Sequence, residues 1–291
     1  MRLDNERESD NVEDRRGEES AGGGFSLGAG HLSIGGIVLA LVVSYFSGIS
    51  PSTLLSLFSG GSAPSTQVAS AHKPPANDAM ATFVSKVLAD TEDTWQVIFR
   101  ESKREYRDPK LVLFTGTTST ACGAGKAAMG PFYCPLDEKV YIDLAFYQEL
   151  KDRFHAPGEF AEAYVIAHEV GHHVQKLLGI SDKVRAAEQR AGNQAQINAL
   201  SVRLELQADC FAGVWGKRAD SMQHLIEPGD IDQALNAATA IGDDRLQQEA
   251  QGTIRPETFT HGSSAQRVRW FKRGMETGDP NQCNTFNTKT L

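Results

Sequence analysis

Three histidines and one glutamate fall within "HEVGHH" at 168–173, in a chain that holds only 8 histidines in 291 residues. Around them Phe160, Tyr164, Ala167, Gly171, Val174 and Leu178 recur at spacings of four and three, which predicts a helix over 159–178 with one face on a core. On that helix His168 and His172 project from one face, a turn apart. Two imidazoles so placed can address one ion at about 2.0–2.1 Å. Glu169 is turned by about 100° from His168. It is too short to share the ion but can reach a water bound to it. The pattern is a two-ligand zinc clamp with a general base built in. Gly171 leaves room beside the metal or lets another element approach closely. His173 points elsewhere and reads as a polar residue on the helix flank.

A catalytic zinc needs a third protein ligand and an open fourth position. The stretch "RLELQADCFAG" at 203–213 offers both a ligand and its support. Glu205 and Asp209 lie four apart on a second predicted helix, among Leu204, Leu206, Ala208, Phe211 and Ala212. Carboxylates in such company need buried partners. Glu205 can complete a two-histidine, one-glutamate set for Zn2+, and Asp209 can accept the free N–H of a ligating imidazole and fix its tautomer. A third histidine six residues beyond His172 is ruled out, since that position is Leu178. Glu188 sits in the charged run "KVRAAEQRAG" and reads as solvent-facing.

The elements that must hold these residues form an α+β plan, a small sheet followed by packed helices. A first helix is expected over 78–106, ended by Asp108-Pro109. Strands are expected at 111–116 and 139–143, with a glycine-rich loop or hairpin over 119–135 between them. Helices follow at 144–154, at 159–178, at roughly 183–219 with a weak point at Gly192, at 230–249 and at 264–275.

The charge pattern sets the wider organisation. A formal charge of −8 argues against a nucleic-acid partner. Residues 1–20 hold eight acidic and four basic side chains, and with the glycine linker after them predict a disordered arm over 1–30. No Asp, Glu, Lys or Arg occurs between Glu19 and Lys73. Within that gap the segment 31–50 is long enough to cross a bilayer core of about 30 Å. A Ser/Pro/Gly-rich tether over 51–76 then leads to a domain over 77–291. Arg2, Arg7, Arg15 and Arg16 precede the apolar segment, so the positive-inside bias leaves the N-terminus in the cytoplasm and the domain outside, on a single membrane span. The four cysteines, all beyond that segment, favour two disulfides in an exported domain. Of three possible pairings, Cys122–Cys134 would close the glycine-rich loop and Cys210–Cys283 would tie the C-terminus to a helix.

"HEVGH" followed by "ELQAD" resembles the Glu-zincin peptidases, the group that includes thermolysin and the HtpX-like membrane peptidases. There the glutamate of the second motif is the third zinc ligand and its aspartate orients a ligand histidine. With "NVEDRRG" (11–17), the apolar segment, "VYID", "HEVGHH", "ELQADC" and "HGSSAQRVRWF" (261–271), nearly the whole chain is similar to the bacterial neutral zinc metallopeptidases of the YpfJ-like type. The resemblance implies a mostly helical zincin-like domain with a small sheet. It implies a zinc-dependent endopeptidase in which a zinc-bound water, deprotonated by Glu169, attacks a protein or peptide substrate. It also places the anchor in a bacterial inner membrane, with the domain periplasmic.

Glu-zincin enzymes often add a distal histidine that stabilises the oxyanion. His261, just before Gly262 and Ser263 where the chain turns into a helix, is the candidate here, and Arg267 or Arg269 on that helix could neutralise a buried carboxylate. Such enzymes also hold the peptide along an exposed strand edge, a place that "STACG" (119–123) occupies in chain order. Two other readings keep the zinc: an amidase acting on cell-wall peptide, and a binding or assembly protein pinned by the metal. Casein and peptidoglycan fragments as substrates separate them, and the metal pin leaves Glu169 without a task.

Overall fold

Two runs of β-branched and aromatic residues, "KLVLF" and "KVYID", make the centre of the sheet. The computed structural model describes residues 1–4, 6–17, 72–127 and 130–291. Strand β1 is Val12–Asp14, β2 Lys110–Phe114, β3 Thr117–Thr120, β4 Gly123–Lys126, β5 Phe132–Cys134 and β6 Lys139–Asp143. The main sheet has the order β1-β2-β6-β5, with β5 antiparallel and the other pairs parallel. Alternation sends Leu111, Leu113, Val140 and Ile142 to the helical core. Val112, Phe114, Tyr141 and Cys134 pack together on the opposite face. There the β3–β4 hairpin forms a second sheet of its own, bound back to β5 by the Cys122–Cys134 disulfide.

Helix α1 (Ala79–Glu101) starts at Asp78, whose side chain accepts from the Ala81 amide. After α2 (Ala145–Asp152) comes α3 (Glu159–Leu177), the histidine helix, close to its expected bounds. The long helix expected next is two: α4 (Ile180–Glu188) and α5 (Gln194–Gln223), the second capped by Asn193. The stretch 230–249 also divides, into α6 (Asp230–Ala240) and α7 (Asp243–Gln251). At the break, Gly242 lies so close to the start of the last helix that a Cβ would come within 2.4 Å of Ser264 N. That helix, α8 (Ser264–Thr277), opens with a capping box between Ser263 and Gln266.

Backbone contact between α5 and α8 depends on two glycines. A Cβ on Gly213 would sit 2.1 Å from Phe271 O, and one on Gly274 2.0 Å from Cys210 O. The Cys210–Cys283 disulfide ties the C-terminal turn to α5. Both cysteine pairings are the expected ones.

The N-terminal residues depart from expectation. In place of a disordered arm, Met1–Gly17 fold into one unit with the domain. Strand β1 pairs with β2, and Asp14 and His72 exchange backbone hydrogen bonds of 2.7 and 3.4 Å. The arginines that the sequence offers as orienting charges are spent inside the fold. Arg7 pairs with Glu92 and Asp93, Arg16 with Asp14 and Asp78, Arg15 with Glu13, and Arg2 with Glu227. A charge-rich stretch buries little apolar area, but here it meets carboxylates already placed to receive it. The expected disordered arm is thereby corrected: these residues belong to the same unit as the domain. The expected linker, the span over 31–50 and most of the tether lie outside the described residues. No helix among the described residues is long and apolar enough to cross a membrane.

Candidate metal centre and its cleft

Helix α3 brings His168 and His172 to one face, and α5 crosses it at Gly171 to bring Glu205 opposite. The approach is tight: a Cβ on Gly171 would lie 3.0 Å from Ala208 O and 3.1 Å from Ala208 Cα. Of the two uses foreseen for this glycine, close approach of another element is the one observed. Glu205 Oε2 is 3.2 Å from His168 Nε2, and Glu205 Oε1 is 3.4 Å from His172 Nε2. All three ligand atoms lie within 4.8 Å of one another. Corners of a tetrahedron about 2.05 Å from a central ion are about 3.3 Å apart. The donor set fits zinc, and each Glu205 oxygen stands about that far from a different imidazole nitrogen.

Each imidazole is fixed through its other nitrogen. His168 Nδ1 donates to Asp209 Oδ1 at 2.9 Å. His172 Nδ1 is 2.9 Å from Gln175 Oε1. The Gln175 amide donates to Leu204 O and Gln207 Oε1, so its oxygen must face the ring and His172 Nδ1 carries the proton. Both Nε2 atoms are thereby left for an ion. Asp209 is fully buried and held by three groups. Arg267 donates Nε to Oδ2 and Nη2 to Oδ1, both at 2.9 Å, and the Tyr164 hydroxyl donates to Oδ1 at 2.5 Å. Burial alone would raise the Asp209 pKa, but Arg267 and His168 pull it well below the usual carboxylate range. Removing Arg267 would strand a buried charge, a loss of about 3–5 kcal/mol. Of the two arginines expected to serve a carboxylate, Arg267 does so; Arg269 instead donates to the Leu291 carbonyl at the surface.

Glu169, itself buried, lines the same cleft of about 730 Å³ as the three ligand residues. His261 lines it too, from the loop before α8. Asp243, at the start of α7, accepts the backbone amides of Thr260, His261 and Gly262 and lies 3.3 Å from His261 Nδ1. That contact, ahead of the opposing effect of burial, raises the His261 pKa above its usual value. A larger groove of about 1030 Å³ lies elsewhere, beside Phe99, Phe211 and Leu178, and contains none of these groups.

Two placements differ from expectation. The stretch 119–123 forms the tip of the β3–β4 hairpin, pairs with itself, and does not line the cleft. The strand that does is β5, through Phe132 and Tyr133. His173 is fully buried instead of lying on a flank. Sequence reasoning also missed Tyr164, Gln175 and Asp243. Gln175 had a readable signal, a polar group one turn past His172. Asp243 is joined to His261 only by the fold.

Residues 1–286 match the family model described as "Putative neutral zinc metallopeptidase". The chain is 53% identical over 290 residues to "Uncharacterized protein YpfJ" of Escherichia coli K12, covering 98% of this chain and 99% of that one. It is 43% identical over 219 residues to "Uncharacterized protein Rv2575" of Mycobacterium tuberculosis H37Rv, covering 72% of this chain and 73% of that one. The same identity and coverage hold for "Uncharacterized protein Mb2605" of Mycobacterium bovis. No solved structure matches.

Proposed function

Because the chain belongs to this family of neutral zinc metallopeptidases, we propose that it is a zinc-dependent endopeptidase. The observation that carries the reading is the set His168, His172 and Glu205, whose ligand atoms lie within 4.8 Å of one another, with Glu169 beside it in an open cleft. The zinc, when bound, polarises the scissile carbonyl and makes water nucleophilic at neutral pH. Glu169 takes the proton of the attacking water and hands it to the leaving amine. Asp209 and Gln175 hold the two histidines in the tautomer that leaves Nε2 free. His261, oriented by Asp243, donates to the oxyanion that forms on the substrate carbonyl.

The two disulfides support a domain that works in an oxidising compartment, outside the cytoplasmic membrane. The apolar segment 31–50 is its membrane contact, and the N-terminal residues lie on the domain's own side.

Purified protein should contain one zinc and cleave casein. Glu169→Gln should keep the zinc and lose turnover, and Glu205→Ala should lose the zinc. Hydrolysis by Glu169→Gln at the wild-type rate would end this mechanism. Cleavage of peptidoglycan fragments but not casein would move the activity to cell-wall amides, and zinc without either activity would leave a structural metal.

A further inference from the structure

The third histidine of "HEVGHH" takes no part in the metal site, yet it is wholly buried. Its Nε2 lies 2.6 Å from Arg107 O, and its Nδ1 lies 3.0 Å from the Tyr133 hydroxyl. A carbonyl oxygen only accepts, so Nε2 carries the hydrogen. With its hydrogen on Nε2, the imidazole presents Nδ1 as the acceptor, and the Tyr133 hydroxyl donates to it. Tyr106 and Tyr133 close the ring in at centroid distances of 5.7 and 5.5 Å.

Tyr133 is the middle residue of β5. Side chains alternate along a strand, so Phe132 and Cys134 face away from α3: Phe132 stacks on Tyr141, and Cys134 is bonded to Cys122. Tyr133 reaches His173 on the histidine helix. The strand is short and lies at the edge of the sheet, with β6 its one partner among the described residues. Its ladder, the Phe132 stack and the disulfide hold it to the sheet, and the Tyr133–His173 bond is what ties it to the metal helix. His173 follows directly on His172, so the atom that fixes the edge is rigidly coupled to a metal ligand.

We infer that His173 is a positioning residue, which through the Tyr133 hydroxyl sets the edge strand β5 at a fixed place beside the metal helix, where an extended peptide pairs with it. This rests on the endopeptidase reading. Backbone pairing with β5 is a form of strand addition. Its strength depends on the strand staying in register with the metal. Substrates long enough to lie along β5 feel the loss of the fastening, and short ones do not.

Two variants cut the same bond from opposite ends. Tyr133→Phe removes the hydroxyl and keeps the ring. His173→Phe keeps an aromatic ring of similar size and removes the acceptor for Tyr133. In the full, zinc-loaded protein, each should raise KM for a fluorogenic peptide of eight or more residues by about 2–10-fold, the worth of one hydrogen bond. Zinc content, kcat and the kinetics of a dipeptide amide should stay as in the wild type. The double variant should be no worse than either single one. Amide hydrogen exchange at residues 132–134 should quicken in both. Equal losses on long and short peptides, additive effects, or unchanged exchange would overturn the inference. If the wild type cleaves no peptide, the endopeptidase reading fails by itself, and hydrogen exchange still decides whether His173 fastens β5.

Discussion

At the residue scale, the site consists of side chains whose neighbours decide which atom is available. His261 shows this at the rim of the cleft. Asp243 raises its pKa, so the protonated ring, the stronger donor to an oxyanion, persists to higher pH than a free histidine would. Asp243→Asn keeps an oxygen for the three backbone amides but removes the charge. The alkaline limb of kcat should then move to lower pH, with zinc content unchanged. A limb that stays in place would show that His261 does not control it. The ligands and their first support were legible because helix periodicity puts residues four apart on one face, and both His168/His172 and Glu205/Asp209 obey it. Asp243 was not legible, since its link to His261 crosses 18 residues and runs through loop backbone. His173 was misread for a related reason. Its helix predicts a direction for the ring, but nothing local says that Tyr133 and Arg107 close over it.

At the element scale, the metal centre exists only if α3 and α5 come close, and Gly171 sets that distance. Gly171→Ala would place a methyl 3.0 Å from a backbone oxygen, which no rotamer change can relieve. We expect a stability loss of about 1–3 kcal/mol and a larger proportional loss of zinc affinity, because Glu205 rides on the displaced helix. Thermal unfolding and zinc titration read the two effects separately. Unchanged zinc affinity would mean that the crossing does not set the ligand geometry. The helices were readable from their apolar stripes, and β2 and β6 from their β-branched runs. The break at 189–193 falls at the weak point expected at Gly192. The one around Gly242 was not readable, because it is imposed by contact with α8, and contacts between elements leave no periodic trace in the sequence. The expected loop or hairpin over 119–135 resolves into the hairpin at 117–126 and the edge strand β5, a division that glycine content does not give because it marks a turn without saying which flanking residues pair.

At the scale of the whole molecule, charge density misled about the order of the first residues. It weighs the stretch alone, whereas Glu92, Asp93 and Asp78 were waiting for its arginines on α1 and at its cap. The shared-side placement can be checked with Glu8→Cys and Ala76→Cys, made one at a time. All four native cysteines are in disulfides, so each variant carries one free thiol. A membrane-impermeant maleimide added to spheroplasts should label both positions, and labelling from opposite faces would separate the arm from the domain. Glu92 gives the pairing a further meaning. It is buried, and Arg7, Ser9 and Asn11 all donate to it. A domain made from residue 72 onward would keep that carboxylate and lose its three donors, along with the strand that covers β2. Conversely, hydrolysis of a single peptide bond between 18 and 71 would not free the arm. It would turn one polypeptide into a complex of two, a short peptide seated on a large partner, and a synthetic peptide of residues 1–17 supplied to the truncated domain should rebuild it.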